Sequence, residues 1–153
     1  MAPRVPDTIH LVSVFLCRFS TWYTFHMVKS AYFLPSFLLL LVIATLHWIG
    51  SDIGLYETTS WFDIIMHFLG GAWVSGAALW LAAVYLPDNR LYLVSVRNLV
   101  LCAIAVGIAW EVFELLMGWT VLDMPNYWGD SILDIVMDTM GGWTMVRILK
   151  KVF

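Results

Sequence analysis

The chain has few charged residues and almost no cysteine. Of its 153 residues, 12% are charged and 61% are hydrophobic, whereas soluble domains carry about 25% charged residues. This composition excludes a soluble domain. The net charge of −3, with no basic stripe, gives no indication of nucleic-acid binding. Its two cysteines, Cys17 and Cys102, lie in different segments and form neither a CxxC motif nor a disulfide framework.

Long apolar stretches predict an all-α integral membrane protein. Four of them are near the ~20 residues that cross a bilayer, and helices are expected because lipid does not tolerate unpaired backbone. The stretches cover about 33–50, 61–86, 94–118 and 130–149. Residues 31–153 are therefore predicted to form one domain, a four-transmembrane-helix bundle built from two tandem helical hairpins.

Residues 1–30 are predicted to be a separate cytoplasmic or interfacial segment. The apolar run 9–17 is too short to span a bilayer and Arg18 interrupts it, so an interfacial amphipathic helix is expected. Two alternatives stay open. Translation could start at Met27, leaving residues 1–26 out of the mature protein, or a fifth helix could be centred near Arg18.

Basic residues are absent from the segments 51–60 and 119–129 between the predicted spans. All eight lie on the opposite side: Arg4, Arg18, Lys29, Arg90, Arg97, Arg147, Lys150 and Lys151. By the positive-inside rule, both termini of this multi-pass chain are expected in the cytoplasm.

A nine-residue phrase occurs twice. Residues 63–71 (DIIMHFLGG) recur 71 positions later as residues 134–142 (DIVMDTMGG), and five of the nine positions are identical. The most important mismatch is His67 against Asp138. Ionisable side chains in such apolar surroundings are functional-site candidates by default.

The ionisable residues of three predicted spans are expected to meet in one outer layer. Residues three or four apart share a helix face, and the rise of ~1.5 Å per residue places them at similar depth. With no Lys or Arg at that depth, protons or a cation must neutralise them. A mixed carboxylate and imidazole set suits a divalent ion such as Zn, Mn or Fe. The predicted metal ligands are Asp63, His67, Glu111, Glu114, Asp134 and Asp138, and the candidate catalytic residues are His67, Glu111 and Asp138.

The spacing of these residues resembles the VanZ-like family. Three motifs, Asp63-x3-His67-Phe68, Glu111-x2-Glu114 and Asp134-x3-Asp138-x2-Gly141, are similar to the DxxxHF, ExxQ and DxxxN helices of that family. Glu114 and Asp138 replace the usual glutamine and asparagine, and in this the chain looks closer to uncharacterised inner-membrane proteins of the YjdF type. The resemblance covers about residues 61–145. It implies a small polytopic protein of the bacterial inner membrane and leaves the chemistry open.

Three functions remain open from the sequence. The first is metal-assisted hydrolysis or group transfer on a lipid head group or a lipid-linked envelope precursor at the outer leaflet. The second is a cation- or proton-exchanging transport or binding module, which would need to form a homo-oligomer because four helices are few for a pathway. The third is an accessory subunit of a larger membrane complex, in which the polar cluster is purely structural. Membrane lipids are the expected partners in each case.

Overall fold

The computed structural model describes residues 31–86, 94–123 and 125–152, and they form helices joined by short connections. In chain order the helices are α1 (Ala31–Asp52), the single turn α2 (Leu55–Thr58), α3 (Ser60–Tyr85), α4 (Val96–Met117) and α5 (Tyr127–Val152). No strand occurs among these residues, which confirms the all-α class for the described part. The N-terminal segment 1–30 and the turn at 87–90 lie outside it.

Three helices, α1, α3 and α4, are long and apolar enough to cross a membrane. Helix α5 is as long as α3, with 26 residues in each, but it is more polar. Asp130, Asp134 and Asp138 lie in its first half, and Lys150 and Lys151 in its last turn. All four predicted spans are thus helical. The charged residues of α5 make the fourth less apolar than expected.

The ends of α4 follow from local backbone chemistry. Its N-cap is Ser95, whose side chain accepts a hydrogen bond from the backbone N–H of Asn98 at 3.1 Å. This bond satisfies one of the amide groups that the first helical turn leaves unpaired. The helix ends at Gly118, which has a left-handed backbone with φ of 73°. Glycine adopts that conformation without steric cost, so the chain turns there towards α5.

Glycines bring α3 and α5 into backbone contact. A β-carbon at Gly71 would overlap the backbone of Asp138, and one at Gly141 would overlap the carbonyl oxygen of Phe68. Small residues allow membrane helices to approach this closely. The two glycine pairs of the repeated phrase therefore face each other across one interface, and α3 and α5 run in the same direction.

Helix α4 packs antiparallel against this pair. A β-carbon at Gly142 on α5 would lie 3.0 Å from the β-carbon of Ala103 on α4. Farther along, one apolar core joins the helices, with Leu79, Leu99, Val146 and Leu149 almost fully buried. The end of the bundle that holds this core also carries Arg97, Arg147, Lys150 and Lys151, and we call it the basic end. The opposite end, where α3 and α5 begin and α4 ends, is called the acidic end.

A hydrogen bond joins α3 and α4 within the core. The hydroxyl of Ser75, which is fully buried, donates to the carbonyl oxygen of Leu99 at 3.0 Å. We expect Ser75→Ala to lower the free energy of unfolding by about 1 kcal/mol, the usual net value of one such bond between membrane helices. Denaturation in mixed detergent–SDS micelles measures this change.

The matched control is Thr45→Ala on α1. The hydroxyl of Thr45 is exposed and donates only within its own helix, to the carbonyl oxygen of Leu41 at 2.8 Å. We expect no measurable change there. Equal losses in the two variants would show that the Ser75 bond does not stabilise the α3–α4 contact.

Candidate functional site

The acidic end collects ionisable side chains from three helices. Helix α3 contributes Asp63 and His67, α4 contributes Glu111, and α5 contributes Asp134 and Asp138. Each set lies on one face of its helix, because residues four apart are one turn apart. The nearest basic residue along α5 is Arg147, nine residues beyond Asp138, which is about 13 Å along the helix. No described Lys or Arg forms an ion pair with these carboxylates.

His67 lies at the centre of the group and is only 6% exposed. Its Nδ1 lies 3.2 Å from Oδ2 of Asp138, within hydrogen-bonding distance. Its Nε2 lies 3.8 Å from Oδ1 of Asp63 and 3.8 Å from Oε1 of Glu111, which is too long for a hydrogen bond. One ring nitrogen is therefore bonded, and the other faces two carboxylates without bonding to either.

Three residues can offer converging metal ligands. One ligand atom each from Asp63, His67 and Asp134 lie within 4.8 Å of one another. Ligands about 2.1 Å from one ion are at most about 4.2 Å apart, so shifts of a few tenths of an ångström would bring these atoms onto a common ion. Asp134 and His67 are buried and Asp63 is partly exposed. The geometry and the donor types fit a divalent cation.

Two buried carboxylate oxygens beside this group have no hydrogen-bond partner. They are Oδ1 of Asp134 and Oε1 of Glu111, in residues that are 3% and 8% exposed. A buried acceptor left unsatisfied costs about 1–3 kcal/mol, and more when it is charged. A cation among these residues would satisfy both oxygens. This second observation is independent of the distances within the ligand group.

Glu114 does not belong to the converging group. It is half-buried, and its Oε1 accepts a hydrogen bond from Nε1 of Trp110, one turn earlier on the same helix, at 2.8 Å. Glu114 therefore has a hydrogen-bond partner for its Oε1, whereas Oε1 of Glu111 has none.

Sequence reasoning missed Gly107 on α4. The carboxylate of Asp138 lies against this glycine, and a β-carbon at Gly107 would overlap Oδ2 of Asp138. Gly107 lies one turn before Glu111 on the same face of α4. That spacing is the signal from which its place in the site could have been expected.

Tyr56 on the short helix α2 lies at the rim of the acidic end and was also missed. Its hydroxyl is 2.8 Å from Nδ1 of His47, and its ring contacts that of Phe62 edge-on, with centroids 4.8 Å apart. Burial, and then the negative charges of Asp63 and Glu114, raise the pKa of Tyr56 to about 12. Tyr56 therefore stays protonated at neutral pH, and its hydroxyl provides a hydrogen-bond donor at the edge of the cluster.

One protein-family model matches residues 6–153, nearly the whole chain. The chain belongs to the DUF2238 family of predicted membrane proteins. This membership agrees with the three apolar helices of the fold, and it confirms that the chain is a membrane protein. No curated protein and no solved structure matches the chain. For this DUF2238 protein, the likeness to the VanZ-like family rests on the three sequence motifs alone.

Proposed function

We propose that this DUF2238 protein binds a divalent cation at the acidic end of a transmembrane bundle. The ligands are Asp63, His67 and Asp134, and Glu111 is placed to provide a fourth. The observation that carries the proposal is the convergence of three ligand atoms within 4.8 Å beside two buried oxygens that lack a hydrogen-bond partner.

In this proposal α5 is the fourth span and the bundle consists of two hairpins. A helix of 26 residues is about 39 Å long and exceeds the ~30 Å hydrocarbon thickness. Asp134 and Asp138 are buried against the other helices, so neither charge would face lipid. The described basic residues lie at the opposite end, and by the positive-inside rule that end is cytoplasmic. The cation site then faces the outside of a bacterial inner membrane.

The donor set indicates the kind of ion. An imidazole nitrogen together with carboxylate oxygens favours Zn²⁺, Mn²⁺ or Fe²⁺, whereas Mg²⁺ and Ca²⁺ are bound mainly by oxygen. The carboxylates also need a positive charge beside them, because buried anions without a partner are costly. A divalent ion provides that charge and bonds to the unpartnered oxygens.

Cation binding is better supported than catalysis on a lipid phosphate. A bound ion can polarise a phosphoryl oxygen or activate water, but phosphate recognition also uses Arg or Lys. The described basic residues, Arg97, Arg147, Lys150 and Lys151, all lie at the basic end. Among the described residues, a phosphate at the acidic end would therefore meet no Lys or Arg.

Metal content tests the proposal. Purified protein, dialysed and then incubated with Zn²⁺ or Mn²⁺, is expected to retain about one ion per chain by elemental analysis. Because His67→Ala and Asp134→Asn each remove a ligand, we expect each to weaken metal affinity by more than about 100-fold, beyond the usual effect of an outer-shell change. Thermal unfolding checks that each variant is folded.

The control is Asp130→Asn, an exposed aspartate one turn before Asp134 on α5. This variant is expected to bind metal like the wild-type protein. If the wild-type protein binds no metal, or if both ligand variants bind as well as Asp130→Asn, the cluster is not a cation site and a structural role is favoured.

A further inference from the structure

The carboxylate of Asp138 lies between glycines of two neighbouring helices. On the α4 side, a β-carbon at Gly107 would overlap Oδ2 and would lie 2.9 Å from Cγ. On the α3 side, a β-carbon at Gly70 would lie 3.8 Å from Oδ1, an ordinary contact distance. Asp138 is 5% exposed. Gly107 therefore leaves the space that this carboxylate occupies, and any side chain there would displace it.

From this position Asp138 determines how the ring of His67 is turned. Its Oδ2 accepts a hydrogen bond from Nδ1 of His67 at 3.2 Å. The opposite ring nitrogen, Nε2, then faces Asp63 and Glu111. A histidine that donates from Nδ1 to a carboxylate keeps the lone pair of Nε2 for a metal, and the carboxylate increases its basicity.

Asp138 itself lies outside the converging group. The residues that offer ligand atoms within 4.8 Å of one another are Asp63, His67 and Asp134. The oxygen of Asp138 nearest to His67 is bonded to the ring edge that points away from Asp63 and Glu111. This placement differs from the ligand and catalytic roles that the sequence suggested for Asp138.

We infer that Asp138 is a positioning residue that orients His67 for the cation, and that Gly107 is the residue that makes this orientation possible. The role rests on the proposed cation site. The orientation of His67 can nevertheless be measured with no metal present, so failure of the site and failure of the positioning role are distinguishable.

The first experiment uses metal-free, full-length protein in which the other histidines, His10, His26 and His47, are replaced by glutamine. Nitrogen-15 NMR then reports His67 alone. We expect a proton on Nδ1 that exchanges slowly with water because it is hydrogen-bonded to Asp138. Asp138→Ala and Gly107→Ala should each abolish this slow exchange, one by removing the acceptor and the other by displacing it.

Two variants serve as controls in the same experiment. Gly70→Ala places a methyl group at an ordinary distance from Asp138 and should leave the Nδ1 signal unchanged. Asp138→Asn keeps an oxygen acceptor of the same shape and should retain a protected Nδ1 proton. If the His67 signal is the same in wild type, Asp138→Ala and Gly107→Ala, the positioning role is overturned.

The second experiment is a double-mutant cycle on zinc affinity. We expect Asp138→Ala and Gly107→Ala each to weaken zinc binding by about 10–100-fold, the usual effect of losing an outer-shell partner. The double variant should bind no more weakly than Asp138→Ala alone, because Gly107 acts through Asp138. It also has room for the added methyl group, which keeps the comparison within folded proteins.

Other outcomes of the cycle contradict the inference. Additive losses would show that Gly107 affects the site by a different route. X-ray absorption spectroscopy counts the oxygen neighbours of the zinc ion. One fewer oxygen in Asp138→Ala than in wild type would show that Asp138 is itself a zinc ligand. A third outcome separates the two proposals. If the Nδ1 proton exchanges slowly only when Asp138 is present, but the protein binds no zinc, then Asp138 orients His67 and the cation site is refuted.

Discussion

Gly71→Ala is expected to lower the free energy of unfolding by about 3 kcal/mol, at the upper end of the usual cost of overpacking. The added β-carbon would overlap the carbonyl oxygen, Cα and carbonyl carbon of Asp138. These are backbone atoms of α5, so no side chain can rotate away, and α3 and α5 must separate. Unfolding in mixed detergent–SDS micelles, followed by circular dichroism, measures the loss.

The neighbouring glycine is a matched control. At Gly70 the added β-carbon would meet only Oδ1 of Asp138, at 3.8 Å. Alanine is favoured over glycine inside a helix by up to about 1 kcal/mol, so Gly70→Ala should be neutral or slightly stabilising. Gly141→Ala should behave like Gly71→Ala, because its β-carbon would overlap the carbonyl oxygen of Phe68. Equal stability of the Gly70 and Gly71 variants would contradict the close backbone contact.

His67→Asp is expected to destabilise the protein by about 3–5 kcal/mol, the range found when one member of a buried charged pair is removed. The substitution makes the two copies of the repeated phrase identical at one of the four positions where they differ. Asp138 would then face a second carboxylate where the imidazole of His67 now donates a hydrogen bond. Asp63 and Glu111 would remain beside the new carboxylate, so four acidic side chains would lie together. The same denaturation assay, in metal-free buffer, measures the effect.

His67→Gln separates the added charge from the lost ring. Glutamine keeps a donor for Asp138 and adds no negative charge, so we expect a loss of only about 1–2 kcal/mol. His47→Asp places the same new charge at an exposed position on α1, where the side chain bonds only to the hydroxyl of Tyr56 among the described residues, so we expect a loss of about 1 kcal/mol, the usual value of one hydrogen bond. If His67→Asp is as stable as His67→Gln, repulsion between buried carboxylates does not determine the free energy of unfolding of the His67→Asp variant.

Much of the architecture could be predicted from the sequence because membrane helices have few alternatives. Apolar length indicated where the long helices lie, since lipid excludes other backbone structures. Spacings of four residues indicated that Asp63 and His67, and likewise Asp134 and Asp138, share a helix face. The structure brings these faces together around His67. The number of spans was less predictable, because the aspartates that build the cluster also make α5 more polar.

The division of roles within the cluster could not be predicted. Which carboxylate bonds to His67 depends on the rotation of α5 about its own axis. The backbone contact at Gly71 and Gly141 fixes this rotation. Helical periodicity in the sequence indicates which residues share a face, but it does not give the rotation closely enough to choose between neighbouring carboxylates. The spacing of four residues places Gly107 on the same face of α4 as Glu111, but a single glycine in an apolar helix does not reveal which side chain of another helix lies against it.

The glycine contact between α3 and α5 would also limit how an ion enters and leaves the proposed cation site. These two helices carry Asp63, His67 and Asp134, and their backbones touch at Gly71 and Gly141. Ion exchange at the proposed site would therefore proceed by side-chain rotation. The Asp63 side chain is 31% exposed, against 6% for His67, so of these two proposed ligands Asp63 has more room to turn outward. Rotamer changes take picoseconds to nanoseconds, far faster than helix displacements. Exchange at the proposed site would therefore not wait for a slow opening of the bundle.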